Sequence, residues 1–152
     1  MQRLPGDLAT AYVRDFTDAQ PSHFAAMDTH PRLTATRHIL AVQNLRSSTD
    51  FYMKVLGFTR DFGDESDGWS WLSRDGFRVG LGECANEPAA NTLGDHSYVA
   101  YVTVDDVDAL YREFVSRGAP LTQSPETKPW GMREFHLKTP DGHRITFGAS
   151  SR

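Results

Sequence analysis

The residue types able to do chemistry in this chain are six histidines, one cysteine, three tryptophans and a scatter of charged groups. The histidines are His23, His30, His38, His96, His136 and His143. No pair has the short spacing that brings two imidazoles onto one metal ion, so a metal site would need residues gathered from separate elements. Cys84 has no cysteine partner, so it forms no intrachain disulfide and no thiolate cluster, and no histidine can be placed beside it to make it a nucleophile. It reads as a small hydrophobe. His136 alternates with Phe135 and Leu137 and shares its side of a strand with Glu134. Trp69, Trp71, Tyr101 and Trp130 supply large flat rings. Such rings stack on planar organic molecules and attract cations. Arg37, Arg78 and Arg144 instead favour a carboxylate-bearing ligand, with Glu134 and Asp61 available to offset them. The chemistry indicated is reversible binding of a planar small molecule.

These residues need strands to position them. From Glu134 to Lys138 and again from Arg144 to Phe147, apolar and polar residues alternate at a period of two. Between them Pro140-Asp141-Gly142 is turn chemistry: proline presets φ, aspartate bonds nearby backbone, glycine accepts a positive φ. The octet Asp75-Gly76-Phe77-Arg78-Val79-Gly80-Leu81-Gly82 matches Asp141-Gly142-His143-Arg144-Ile145-Thr146-Phe147-Gly148 in residue type at almost every step. It marks an internal repeat. The flanking pattern extends it. A strand over Thr34–Val42, a helix from Asn44 to Gly57, and strands near 58–62, 69–72 and 77–81 spell βαβββ. After a connector at 84–94 the order restarts, with a strand over Ser97–Val104, a helix behind Asp105-Asp106 ending at Gly118, a short strand near Leu121–Gln123, and the closing hairpin. The expected fold is α+β: two βαβββ modules (33–83 and 95–149) in a domain spanning 32–150, with curved sheets around a central cleft. One face of each sheet packs on its helix. The other face takes Arg37, Ile39, Ala41, Trp69, Trp71, Arg78, Gly80 and Gly82 from the first module. From the second it takes Val99, Tyr101, Thr103, Glu134, His136, Arg144 and Thr146, with Trp130 at the entry to the last hairpin. Gly80 and Gly82 are expected to leave open space for a ligand.

The chain is 152 residues long, 39% apolar and 24% charged, which allows one domain with a sizeable core. A net charge of −4 without clustered Lys or Arg excludes a nucleic-acid groove. No run approaches the roughly 18 apolar residues of a membrane span, and the N-terminus lacks the apolar core of a signal peptide, so a cytoplasmic protein is expected. Residues 1–31 stand apart. Leu8, Tyr12, Val13 and Phe16 share one face of a short helix begun near Pro5, and a proline-containing linker follows to Pro31.

The duplicated βαβββ pattern, the phrase Asp50-Phe51-Tyr52-Met53-Lys54-Val55-Leu56-Gly57-Phe58 and the Pro140-Asp141-Gly142 turn resemble the glyoxalase/bleomycin resistance/dioxygenase superfamily, the vicinal oxygen chelate fold, over residues 33–149. Leu56-Gly57-Phe58-Thr59-Arg60-Asp61-Phe62 and Pro129-Trp130-Gly131-Met132-Arg133-Glu134-Phe135 resemble its bleomycin-resistance branch. That resemblance implies a homodimer that sequesters a flat, antibiotic-like ligand in aromatic-lined clefts without breaking a bond. Metal-using relatives place His or Glu at four strand positions. By this resemblance those positions fall on Arg37, Gly80, Val99 and Thr146, which imply no metal and no cofactor. The expected ligand contacts are Trp69, Trp71, Tyr101, Trp130, His136, Arg37, Arg78, Glu134, Arg144 and Thr146. Two other readings stay open: a metal-dependent lyase, isomerase or dioxygenase using His38, His96, His136 or Glu83, and a structural or regulatory dimer with a vestigial cleft.

Overall fold

In the computed structural model, residues 33–151 are described. The helix and linker expected over residues 1–31, with His23 and His30, lie outside them. The duplicated pattern is realised as two topologically identical four-stranded sheets. The first module holds β1 (His38–Val42), β2 (Thr59–Phe62), β3 (Trp69–Arg74) and β4 (Phe77–Glu83), in the order β1-β4-β3-β2. The second holds β5 (Tyr98–Thr103), β6 (Glu126–Thr127), β7 (Met132–Lys138) and β8 (Arg144–Ser150), in the order β5-β8-β7-β6. In each sheet the first and last strands of the module run parallel and the other pairs antiparallel. The matching octets therefore occupy β4 and β8, the same place in both sheets.

Each module has one helix between its first two strands. In the first, α1 (Leu45–Asp50) is capped by the Asn44 side chain, which accepts the Ser47 amide, and continues as a π-helical turn over Phe51–Val55. In the second, α2 (Val107–Ser116) is capped by Asp106, which accepts the Ala109 amide at 2.8 Å. Gly57 and Gly118 follow the two helices with φ of 74° and 78°, a left-handed conformation that a Cβ would strain.

Two expected boundaries move. The first strand begins at His38 rather than Thr34: its ladder with the parallel partner β4 starts at the His38–Val79 pair. The short strand expected near Leu121–Gln123 forms at Glu126–Thr127 instead. Pro120 and Pro125 flank the earlier stretch and lack the amide donors that a ladder needs, so pairing starts after Pro125.

The alternate residues of both sheets build one core. Leu40, Val42, Leu72, Val79 and Leu81 from the first sheet join Phe135, Leu137, Ile145 and Phe147 from the second, with Tyr52 and Phe114 from the helical segments between them. Two reciprocal contacts hold the modules together. The Asp141 carboxylate, in the β7–β8 turn, accepts the Gln43 amide at 2.7 Å and the Ser48 hydroxyl at 2.6 Å at the start of α1. Arg74, at the end of β3, donates twice to Glu113 of α2 (3.0 and 2.9 Å) and once to the Leu56 carbonyl, with its guanidinium over the Phe114 ring. Each module's hairpin thus grips the other's helical side. The helix sides face one another across the core, and the two helix-free sheet faces are directed outward.

Candidate functional site

On the helix-free face of the first sheet, side chains of β2 and β3 form an aromatic row. The Trp69 and Trp71 rings stack with centroids 5.4 Å apart and planes 11° from parallel, and Phe62 continues the row at 5.4 Å from Trp71. The cross-strand partners of Trp69 and Trp71 are Gly82 and Gly80. A Cβ at Gly80 would lie 2.5 Å from the Trp71 ring, and one at Gly82 would lie 2.9 Å from Trp69. The glycines were expected to leave a void for a ligand. They instead seat the protein's own indoles flat on β4, and that close approach explains why no larger residue stands there. Trp71 is only 5% exposed, so the surface this row presents comes mainly from Trp69, Phe62 and the neighbouring Ile39, which is 53% exposed. Arg78 is half-buried on the same side of β4, and Arg37 is half-buried one residue ahead of β1.

The helix-free face of the second sheet carries polar pairs among aromatic rings. Glu134 is 6% exposed, yet its carboxylate points to this side and accepts the Tyr101 hydroxyl at 3.0 Å. Burial, and then the hydrogen bond and charge of Glu134, push the Tyr101 phenol above its ordinary pKa. The Tyr101 ring, half-exposed, crosses above Gly148, where a Cβ would collide with the hydroxyl. This repeats the seating of Trp69 on Gly82, with tyrosine in place of tryptophan. One step along β7, His136 pairs with Thr146, its Nδ1 2.9 Å from the Thr146 hydroxyl. Its ring meets Tyr98 edge-on at 6.1 Å. Arg144 lies over Tyr98, its guanidinium carbon 3.9 Å from the ring centre. Trp130 projects from the β6–β7 turn, 65% exposed.

The site residues read from sequence thus divide into two groups. Tyr101, Glu134, His136, Arg144 and Thr146 come together on one face. Trp69, Trp71 and Arg78 share the other. His38 and Val99 lie on the core side: His38 packs edge-on against Phe77, and Val99 joins the core cluster. Val99 was expected on the helix-free face. A register shift between Tyr98 and Ala100 turns it inward and brings Tyr98 out beside Arg144. Tyr98 and Phe62 are the contacts that sequence alternation missed. A bulge leaves no mark in the sequence, and Phe62 ends a strand whose register slips between Arg60 and Phe62.

Glu134 and His136 are successive outward residues of one strand, but the third neighbour is the Thr146 hydroxyl, and Glu134 is already bonded to a phenol. Among the described residues no group of three or more His, Cys, Asp or Glu side chains could hold a metal ion. These donors do not fit the several imidazole or carboxylate ligands that a divalent site needs. None of the described helices is long and apolar enough to cross a membrane.

Comparison with known proteins places this geometry. No curated protein matches the chain. Solved structures similar to it include the bleomycin-binding protein of Streptomyces verticillus complexed with copper(II)-bleomycin, at 23% identity and a TM-score of 0.64, covering 80% of this chain and 99% of that one. A bleomycin resistance determinant encoded on the transposon Tn5 aligns at 24% identity and a TM-score of 0.64, over 77% of this chain and 98% of its own. A bleomycin-binding protein complexed with bleomycin is 26% identical with a TM-score of 0.62, over 78% and 99%. The family model for the Glyoxalase/Bleomycin resistance protein/Dioxygenase superfamily matches residues 29–147, nearly the whole span of the two modules, and the chain belongs to that superfamily.

Proposed function

We propose that the protein is a metal-independent small-molecule binding protein that sequesters a planar aromatic, antibiotic-like ligand on its helix-free sheet faces. The observation that carries this reading is the pair of faces themselves. One is a row of flat rings lying on glycines, and the other sets Tyr101, Tyr98 and His136 around hydrogen-bonded polar groups. Rings held flat and rigid lose little entropy when a planar molecule stacks on them. The solved bleomycin-binding proteins of like fold support a small-molecule role, and the donor set described above supports binding without a metal.

The functional unit in this reading is a homodimer. Within one chain the two helix-free faces point outward, so neither is closed over a ligand. Ile39, Tyr98 and Tyr101 are each about half-exposed on them, an apolar display that a second copy would cover. Pairing the first-module face of one copy with the second-module face of another would make two equivalent clefts. Sedimentation equilibrium tests the dimer, and a thermal-shift screen with planar cationic, neutral and anionic aromatics tests the ligand. A bound ligand at a hundredfold excess over its Kd stabilises the fold by about 2.7 kcal/mol. A monomer at all concentrations, or a panel that leaves the melting temperature unmoved, contradicts the reading.

A further inference from the structure

Beside the polar pairs of the second sheet lies a recess of about 260 Å³, lined by Tyr98, Thr122, Gln123, His136, Lys138 and Arg144, with Pro120 and Leu137 closing it. Its lining is one-sided in charge. It contains a guanidinium, an ammonium and an imidazole, with hydroxyls and an amide, and no carboxylate. We infer that this recess is a subsite for an anionic group (carboxylate, phosphate or sulfonate) on the ligand. The inference rests on the reading that this face binds a small molecule, and adds the class of that molecule.

Arg144 is the fixed element. Its Nε donates to Ser97 Oγ at 2.9 Å, and its Nη2 to the Gly94 carbonyl and to Asp95 Oδ1, both at 2.7 Å. The ring of Tyr98 supports it from one side. Nη1 makes no hydrogen bond among the described residues, so the guanidinium is held in place with donors to spare. Asp95 pairs with it directly and is held below the usual carboxylate range by that hydrogen bond and charge, but its side chain is 96% exposed, so the pair stands open to solvent at the rim. His136 is oriented by Thr146 through Nδ1, which leaves Nε2 available. In the tautomer whose Nδ1 accepts the Thr146 hydroxyl, Nε2 carries the hydrogen and can donate. Lys138 is exposed and makes no ion pair among the described residues. Two positioned donors and one mobile ammonium around a small recess suit a compact anion. Along β7 the buried carboxylate of Glu134 lies four residues from Lys138, about 13 Å by the rise of a strand, and two residues, about 7 Å, from His136 at the near edge of the recess. An acidic group therefore has one favoured end of this face, and the ligand class is an aromatic or extended molecule ending in an anion.

The test is a ¹H–¹⁵N NMR titration of the full chain with four probes: benzoate, phenyl phosphate, benzyl alcohol and benzylamine. Benzoate or phenyl phosphate should shift Tyr98, His136, Lys138 and the Arg144 side chain, and should lose affinity as sodium chloride rises, while benzyl alcohol and benzylamine leave those signals in place. The two anions separate a carboxylate from a phosphate preference. Arg144→Gln should weaken anion binding by about tenfold, the range of a charge-assisted hydrogen bond. Arg144 also ties down Gly94 and Ser97, so Lys138→Gln is the second variant. It breaks no contact, and should weaken binding by about threefold. The inference is overturned if anionic and neutral probes shift the recess equally, or if neither variant alters anion affinity. Shifts at Tyr101 and Trp69 from neutral aromatics, without anion effects at Arg144, sink the subsite and leave the binding face standing. Anion binding at Arg144 without any aromatic binding elsewhere supports the subsite and sinks the wider reading. No shift from any probe overturns both.

Discussion

Substitution of Gly80 by alanine should dislodge the indole row of the first sheet. The new Cβ would meet two ring carbons of Trp71 at 2.5 and 2.8 Å and Ile39 Cδ1 at 3.0 Å. Ordinary carbon contacts lie at about 3.5–4.0 Å, so the ring must withdraw by about 1 Å. Trp71 is flanked in the row by Phe62 and Trp69 and can withdraw only by breaking that stacking. Overpacking of this kind costs about 1–3 kcal/mol, and a lost aromatic pair adds about 0.5–1.5 kcal/mol. Alanine's smaller loss of backbone freedom returns about 0.5–1 kcal/mol. The net expectation is a destabilisation of about 1–3 kcal/mol. Gly76→Ala is the control, since a Cβ there meets nothing within 4 Å and the residue has no left-handed φ. It should be neutral or stabilising by about 0.5 kcal/mol. At roughly 2–4 °C per kcal/mol for a chain of this size, the two variants should melt about 2–14 °C apart. Urea denaturation gives the free energies, and near-ultraviolet circular dichroism reads the stacked indoles directly. Equal stabilities with an unchanged near-ultraviolet spectrum would refute the argument that the glycine exists to seat Trp71.

Asp141→Ala should lose about 2–4 kcal/mol in urea denaturation, because it strands the Gln43 amide and the Ser48 hydroxyl. Asp75→Asn, at the mirrored turn where the aspartate is exposed, should stay within about 0.5 kcal/mol. His143 is buried, and burial holds its pKa below the ordinary histidine value against the opposing charge of Asp141. The unfolded chain therefore takes up the proton first. Stability from this residue is present above about pH 6.5 and declines as pH falls from there towards the folded pKa. Denaturation midpoints from pH 8 to pH 5 should show that decline, and His143→Gln should flatten it. Tyr101→Phe leaves the buried Glu134 without its phenol donor and should cost about 1–3 kcal/mol, whereas the double variant with Glu134→Leu should recover part of the loss. Equal losses in the single and double variants would argue against that pairing.

The architecture was legible because the repeat is written in residue type. Octets alike from Asp75 and from Asp141 could only be the same strand of two like modules, and β4 and β8 are that strand. Alternation also separated Glu134, His136, Arg144 and Thr146 from Phe135, Leu137, Ile145 and Phe147 without error. Four features were not legible. The bulge that exchanges Val99 for Tyr98 is a property of two strands in register, and neither strand announces it alone. Asp141 reads as an ordinary turn residue, since the same residue type suits a local turn and a contact 98 positions away with Gln43. The glycines of β4 signal a close approach, but a sequence cannot say whether a ligand or an indole makes it. The choice of packing side was equally hidden, because both faces of each sheet carry aromatic residues, and it shows only in the tertiary contacts, the shared core and the ties of Arg74 and Asp141.

The central claim is that a planar small molecule binds on the helix-free faces, and the most direct measurement follows the three tryptophan indole signals and the Tyr101 amide in the ¹⁵N-labelled protein. Proflavine, a planar cation, and naphthalene-2-sulfonate, a planar anion, serve as titrants, at a protein concentration where the oligomeric state is known. The account predicts saturable shifts at Trp69 and Tyr101 with at least one titrant, without added metal and unaffected by a chelator. Signals that stay unmoved at both positions with both titrants, or shifts that vanish on chelation, would contradict it.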